Sequence, residues 1–192
     1  MVAERAEAQD TSRGEVTAGW RYYYATIKTV PNTFELDHPN DYPTGWYADV
    51  SLNVSPKFAI VGEAGGTYHK DDTSSTTGSI TRTESLDITF HTFMGGVRIR
   101  APQHRALVPF GQVLFGGEPD SSTAERTFQI GQSNPSTTRQ ETNTSNAVLA
   151  LDGGLTMMAG PIAIRASGGY VRFFSRADAD TFRLSLGGGF RF

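Results

Sequence analysis

The stretch FRLSLGGGFRF, residues 182–192, decides the fold class. Every second side chain from Phe182 to Phe192 is apolar or glycine, and the side chains between them are arginine, serine or glycine. This period of two predicts a β-strand with one apolar and one polar face. A segment of about 9–11 residues is long enough to cross a bilayer as a tilted strand.

Seven earlier segments repeat the alternation. In the second, Trp46, Ala48 and Val50 share one face, whereas Tyr47 and Asp49 share the other. Tight turns at 55–57, 101–105 and 159–161 alternate with polar stretches at 28–42, 70–85 and 118–145, and a shorter one at 175–180. We therefore predict an all-β, closed eight-stranded antiparallel up-and-down transmembrane β-barrel over residues 15–192, preceded by a flexible N-terminal tail, residues 1–14.

Two of the eight segments are less regular. In the fifth, Phe110, Gln112 and Leu114 share the face that is polar elsewhere, so this inward face is only partly polar. The fourth changes phase, because Leu86, Ile88 and Phe90 share one face while Phe93, Val97 and Ile99 share the other. We predict a β-bulge near residues 91–92, and an error in our strand register is the competing explanation.

Composition excludes several functional classes. The chain of 192 residues has no cysteine, so disulfides and thiolate metal sites are absent. Its 17 basic and 20 acidic residues are spread along the chain, which argues against nucleic-acid binding. No run approaches the 18–20 apolar residues of a spanning helix. Residues 1–14 lack the apolar middle of a secretory signal, so we expect a mature form without its signal peptide.

Several of these segments resemble the OmpA/OmpX-like family of small outer-membrane β-barrel domains. The resemblance covers residues 15–192 and is carried by Gly19-Trp20, by Asn53 before a tight turn, by residues 109–112 (PFGQ) and by residues 189–192 (GFRF). It implies a monomeric, porin-like protein of the Gram-negative outer membrane with periplasmic termini. It also implies that the barrel-assembly machinery reads the terminal Phe192.

Charged residues on the less apolar faces form a predicted lumen ionic network. The set comprises Arg21, Asp49, Glu63, Asp152, Arg165, Arg183 and Arg191. Ionised groups in a narrow interior must pair or be hydrated, so we expect salt bridges between neighbouring strands and a polar plug. The family resemblance implies that such a network can also gate a small conductance, with Glu63 paired to Arg165 or Arg183.

Aromatic side chains near strand ends fall on the apolar face. The predicted membrane-interface set comprises Trp20, Tyr22, Trp46, Tyr68, Tyr170, Phe190 and Phe192. Amphipathic rings prefer the headgroup level, so these residues predict aromatic girdles in contact with outer-membrane lipid.

The histidines do not form a recognisable catalytic or metal site. We place His91 inside a strand and His38, His69 and His104 in loops or at rims, without close serine and carboxylate partners. We predict no enzyme, no metal and no cofactor. The expected role is structural or surface-interacting, with exposed loops meeting an extracellular partner. Two alternatives remain, a soluble lipocalin-like barrel that binds a small apolar ligand and a lipid-modifying outer-membrane enzyme.

Overall fold

The computed structural model describes residues 13–27, 41–101, 106–131, 133–174 and 179–192. All the secondary-structure elements in these ranges are β-strands. The strands are β1 Gly14–Ile27, β2 Asp41–Asn53, β3 Phe58–Thr77, β4 Ile80–Arg100, β5 Leu107–Ile130, β6 Ser136–Ala159, β7 Ile162–Phe174 and β8 Ala179–Arg191. The tail 1–12 and the connections 28–40, 102–105 and 175–178, which include His38 and His104, lie outside the described residues.

The eight strands form a closed antiparallel ring in chain order, as predicted. The ring closes between β1 and β8, whose pairing runs from Ile27 opposite Ala179 to Glu15 opposite Arg191. At the end of this seam Gly14 and Phe192 exchange two backbone hydrogen bonds of 3.0 Å. Closure satisfies the backbone groups that an open sheet would leave unpaired in lipid, so the barrel can reside in a membrane.

The apolar faces of the strands point outward. Ile60 on β3, Leu186 on β8 and Phe190 on β8 keep 57%, 55% and 67% of their surface exposed. The polar faces point into the lumen, where Arg21 and Arg183 are each only 2% exposed. This arrangement is opposite to the one that a soluble, lipocalin-like binder requires, because such a protein keeps its apolar face inside.

The predicted bulge in the fourth strand is wrong. Pairing of β3 with β4 runs in one register from Phe58 opposite Ile99 to Thr77 opposite Ile80. Leu86 and Phe90 are buried and point into the barrel, whereas Phe93 points outward. The apolar pattern changes phase because the upper lumen is itself apolar. A register shift does occur between Arg21 and Tyr23 of β1, opposite β2.

An apolar plug fills the upper lumen. It consists of Tyr23, Tyr42, Val61, Phe90, Met94, Leu114, Val148, Ala150, Val171 and Phe173, with Ile88 packed against it. The ring of Phe90 makes edge-on contacts with Tyr23, Tyr42 and Phe173 at centroid distances of 5.3, 5.7 and 6.5 Å. The plug explains the inward position of Leu114 in the fifth strand, because Leu114 belongs to it.

Most of the predicted polar loops 70–85 and 118–145 are strand rather than loop. Strands β3 and β4 continue to a turn at Gly78, and β5 and β6 continue to a turn at Gly131. Both glycines have positive φ, 62° and 59°, which suits a tight hairpin turn. Strands β4 and β5 stay paired as far as Ile80 opposite Ile130. The two hairpins therefore form one four-stranded sheet, the protruding sheet, which extends beyond the apolar exterior.

Candidate functional site

The lumen below the apolar plug holds two clusters of ion pairs. Alternation along the strands sends about every second side chain inward, and closure of the ring brings side chains from distant parts of the chain together. The upper cluster contains Arg21, Glu63, Asp152 and Arg183, and the lower cluster contains Glu15, Asp49, Arg98 and Arg165. Each cluster has two arginines and two carboxylates.

In the upper cluster Glu63 accepts hydrogen bonds from two arginines. Arg21 Nη1 and Arg183 Nη1 both donate to Glu63 Oε1, at 2.8 and 2.9 Å. Arg183 also binds Asp152 in a bidentate fashion, with Nε–Oδ1 at 2.8 Å and Nη2–Oδ2 at 2.5 Å. Gly169 lies against the Asp152 carboxylate, and a Cβ at that position would overlap it. The glycine therefore makes room for the aspartate in the narrow barrel.

In the lower cluster Asp49 serves two arginines. Arg165 Nη1 donates to Asp49 Oδ2 at 2.5 Å, and Arg98 Nη2 donates to Asp49 Oδ1 at 3.3 Å. Arg165 Nη2 also donates to Glu15. The guanidinium groups of Arg98 and Arg165 lie 5.1 and 5.2 Å from the ring centroid of Phe110, so this inward aromatic side chain contacts both cations.

Gln112 joins the two clusters. Its Oε1 accepts from Arg98 Nε at 2.8 Å, and its Nε2 donates to Asp152 Oδ2 at 2.9 Å. An amide is suited to this position because it can accept from a cation at one end and donate to a carboxylate at the other. The two clusters and Gln112 thus make one continuous hydrogen-bonded network through the lower and middle lumen.

Six of the seven predicted lumen residues lie buried in these clusters. Arg191 is half-buried near the seam with β1, and it has interaction partners of its own. Of the two pairings predicted for Glu63, the structure has the one with Arg183. Arg165 instead belongs to the lower cluster.

The sequence reasoning missed Glu15, Arg98 and Arg100 as lumen residues, and it placed Gln112 on the inward face without assigning it to the ionic network. All four are buried. Arg100 donates to Asn53 at the lower end of the network. The period of two could have identified three of them. Glu15 precedes the outward Val16, and Arg98 and Arg100 alternate with the outward Val97 and Ile99.

The predicted interface aromatics all lie on the outer face of the barrel. Trp20, Trp46, Tyr68, Phe190 and Phe192 are exposed, and Tyr22 and Tyr170 are half-buried. Trp20 Nε1 donates to the Pro43 carbonyl oxygen at 2.8 Å. Trp46 Nε1 donates to the Tyr68 hydroxyl at 3.4 Å, and that hydroxyl lies 3.5 Å from His91 Nε2. These polar contacts suit rings that sit where lipid meets water.

The described histidines show no catalytic arrangement. His91 stacks edge-on against Tyr68 at the outer surface, with ring centroids 5.9 Å apart. His69 lies within β3 and stacks edge-on against Tyr42. In the described parts of the chain, no group of three or more histidine, aspartate and glutamate side chains is placed to hold a metal ion. The described residues also contain no helix long and apolar enough to span a membrane.

The protruding sheet carries its own charge cluster on the inward face. Arg82 and Arg126 both contact the Glu84 carboxylate, Arg126 Nε at 2.5 Å. Both guanidinium groups also lie over the Phe128 ring, at 5.7 and 5.9 Å. Slight burial raises the pKa of Glu84, but hydrogen bonds and positive charge from the two arginines outweigh it and hold that pKa below its usual value.

The outward face of the protruding sheet is lined by hydroxyl groups. Ser74 lies opposite Thr83 with their hydroxyls 3.4 Å apart, and Thr76 lies opposite Thr81 at 3.2 Å. On the second hairpin Thr127 and Thr137 are also paired, at 3.0 Å. Cross-strand threonine pairs of this kind stabilise an exposed sheet without making it apolar.

Comparison with known proteins supports the architecture. No family model matches the chain, and no curated protein matches it. Among solved structures, the chain is similar to Ail, the attachment invasion locus protein of Yersinia pestis, solved with the heparin analogue sucrose octasulfate. The identity is 16%, the alignment covers 93% of this chain and 97% of Ail, and the TM-score is 0.55.

A second solved structure is Neisserial surface protein A, at 9% identity. The alignment covers 94% of this chain and 98% of that protein, with a TM-score of 0.53. At sequence identities this low, the similarity to these two proteins shows a shared fold and nothing more. The chain has the fold of the small, eight-stranded β-barrels of the bacterial outer membrane.

Proposed function

We propose that the chain is a sealed outer-membrane barrel that anchors the protruding sheet at the cell surface for contact with external partners. The observation that carries the proposal is the length of β3, β4, β5 and β6. The apolar exterior of β5 ends at Phe115, yet the strand continues to Ile130. A barrel needs only about 9–11 residues per strand to cross a bilayer. The extra length therefore serves something other than membrane insertion.

The filled lumen supports an anchoring role rather than transport. The two ionic clusters occupy its lower and middle parts, and the apolar plug occupies its upper part. The plug is made mainly of apolar side chains, so an ion entering it would lose most of its hydration, which is unfavourable. We infer that the network is a structural element of the barrel and not a gate.

The short turns and the termini are inferred to lie on the periplasmic side. The seam brings Gly14 and Phe192 together at the end of the barrel opposite the protruding sheet. Phe190 and Phe192 are both exposed on the outer face, where the barrel-assembly machinery can read them. The chain is inferred to be a monomer within its own membrane.

Among the residues that the structure describes, no constellation of side chains supports the lipid-modifying alternative. His91, the histidine predicted within a strand, contacts Tyr68 at the outer surface of the barrel, among the exposed aromatic side chains. Ail and Neisserial surface protein A share the fold, and their names describe attachment and a surface location. For this chain, the surface role rests on the protruding sheet.

Epitope accessibility on intact cells tests the proposal. One tag is inserted between Gly78 and Ser79, at an exposed hairpin turn, and a second is placed at the N-terminus. We expect antibody to label the turn tag on intact cells and the N-terminal tag only after the outer membrane is permeabilised. Labelling of the N-terminal tag alone on intact cells, or of neither tag, would contradict the proposed orientation.

A further inference from the structure

In the part of the chain that the structure describes, strand β6 leaves one edge of the protruding sheet unpaired. Its pairing with β7 begins at Ala147 opposite Phe174, whereas its pairing with β5 continues to Ser136. Within the described ranges, no strand pairs with residues 136–146 along that second edge. An unpaired strand edge presents a row of backbone donors and acceptors to any strand that can lie beside it.

We propose that this edge binds the same edge of a second copy of the chain, in antiparallel register centred on Gln140. In that register Arg139 lies opposite the second copy's Glu141, and Glu141 lies opposite the second copy's Arg139. The sequence RQE at 139–141 is therefore complementary to itself. Opposite charges directly across an antiparallel pair are stabilising, and like charges are destabilising.

The side chains of Arg139 and Glu141 are exposed, so each can bind the second copy in place of its neighbour in the same strand. Arg139 Nη2 lies 2.6 Å from Glu141 Oε1 within the same strand, with both side chains about 60% exposed. Pairing with a second copy replaces this solvated contact by two contacts across the interface. The same register places Thr138 opposite the second copy's Thr142, a hydroxyl pair of the kind that this sheet already uses between Thr127 and Thr137.

The edge of β3 beyond Thr67, with which no described strand pairs, does not offer an equivalent register. On β3, Lys70 and Asp72 also lie two residues apart and 3.8 Å from each other. Self-pairing that brought Lys70 opposite the second copy's Asp72 would be centred on Asp71. It would then place one aspartate directly opposite another, which is unfavourable. At the β6 edge the central residue is the neutral Gln140.

The symmetry of this pairing places the second copy in a facing membrane. The twofold axis of an antiparallel strand pair is perpendicular to the sheet. The protruding sheet continues the barrel wall, so this axis lies in the plane of the membrane and inverts the second barrel. The free edge from 136 to 146 spans roughly 35 Å. The inference rests on the proposed display of the protruding sheet at the cell surface. The binding partner of the sheet is then the same protein on an adjacent cell.

Clustering of phosphatidylcholine vesicles that carry the refolded chain tests the inference. We expect wild-type vesicles to cluster, as followed by light scattering. Arg139→Glu and Glu141→Arg each place like charges opposite one another, and each should reduce clustering at least about tenfold. Vesicles carrying Arg139→Glu mixed with vesicles carrying Glu141→Arg should cluster again, because the two variants complement each other.

Two controls separate edge pairing from other effects. Lys70→Glu makes the same charge change on the opposite edge and should cluster like wild type. Gln140→Cys introduces the only thiol of the chain, and oxidation of clustered vesicles should yield a covalent dimer. A heat-shifted gel band for each variant shows that it is folded.

Two results would overturn the inference: no clustering of wild-type vesicles whose hairpin tag is accessible to antibody, or unchanged clustering by both charge variants. Either result leaves the proposed surface display intact. An inaccessible hairpin tag would instead count against the proposed function itself.

Discussion

Replacing Glu63 with glutamine is expected to lower the free energy of unfolding by about 3–5 kcal/mol. Glu63 Oε1 accepts hydrogen bonds from Arg21 and Arg183, and all three side chains are almost fully buried. Arginine stays protonated in proteins, so the cluster cannot adjust by losing a proton. The variant therefore leaves one uncompensated positive charge in the lumen.

Urea unfolding of the barrel in lipid vesicles measures this loss. The matched control is Glu141→Gln, which removes an exposed carboxylate and should change the free energy of unfolding by less than about 0.5 kcal/mol. Adding Arg21→Met to the Glu63→Gln chain restores the charge balance and should recover part of the loss. A Glu63→Gln barrel as stable as wild type would contradict the assignment of Glu63 to a water-excluded cluster.

Leu186→Arg is expected to cost about 2–4 kcal/mol in the same unfolding experiment. Leu186 lies in the middle of the outward apolar face of β8 and is 55% exposed. In lipid, an arginine there exchanges a hydrocarbon contact for a desolvated charge. In water, the same substitution would be close to neutral, because a surface arginine remains hydrated.

Thr83→Arg is the control for this second prediction. Thr83 lies on the outward face of β4 in the protruding sheet, opposite Ser74 and beyond the apolar exterior. It should tolerate arginine with little loss of stability. Equal tolerance at Leu186 and Thr83 would show that the barrel exterior around Leu186 is not in contact with hydrocarbon.

Most of the fold could be predicted from the sequence because alternation reports which face meets which environment. Along β8 the outer environment is uniformly apolar and the lumen uniformly polar, so the period of two identifies both faces. The same inference is wrong on β4, where Phe90 belongs to the apolar plug and Ile88 packs against it. When the inward face of a strand changes from polar to apolar, the sequence shows the same shift in hydrophobic pattern as a β-bulge would produce. The sequence alone does not distinguish the two cases.

The long polar stretches were misread for a related reason. Residues 70–85 and 118–145 are rich in serine and threonine, which suggested solvated loops. Threonine is β-branched and favours strands, and a sheet with two exposed faces shows no hydrophobic alternation. Only the pairing of β4 with β5 as far as Ile130 reveals a continuous sheet.

Which charges pair could be predicted only in part. Arg21 and Arg183 meet Glu63 because the ring closes and the strands are staggered, and neither is fixed by local sequence. The alternation placed Gln112 on the inward face of the fifth strand, but it did not indicate which groups Gln112 would bind. Its role between Arg98 and Asp152 depends on three strands lying side by side.

Refolding from urea, with and without detergent micelles, tests the central claim that the apolar face of the barrel is its exterior. We expect β-sheet circular dichroism and a heat-shifted band in unboiled gel samples only when micelles are present, because the exposed face requires a hydrocarbon environment. A folded, monodisperse protein in plain buffer would contradict the account, since it would place the apolar face inside.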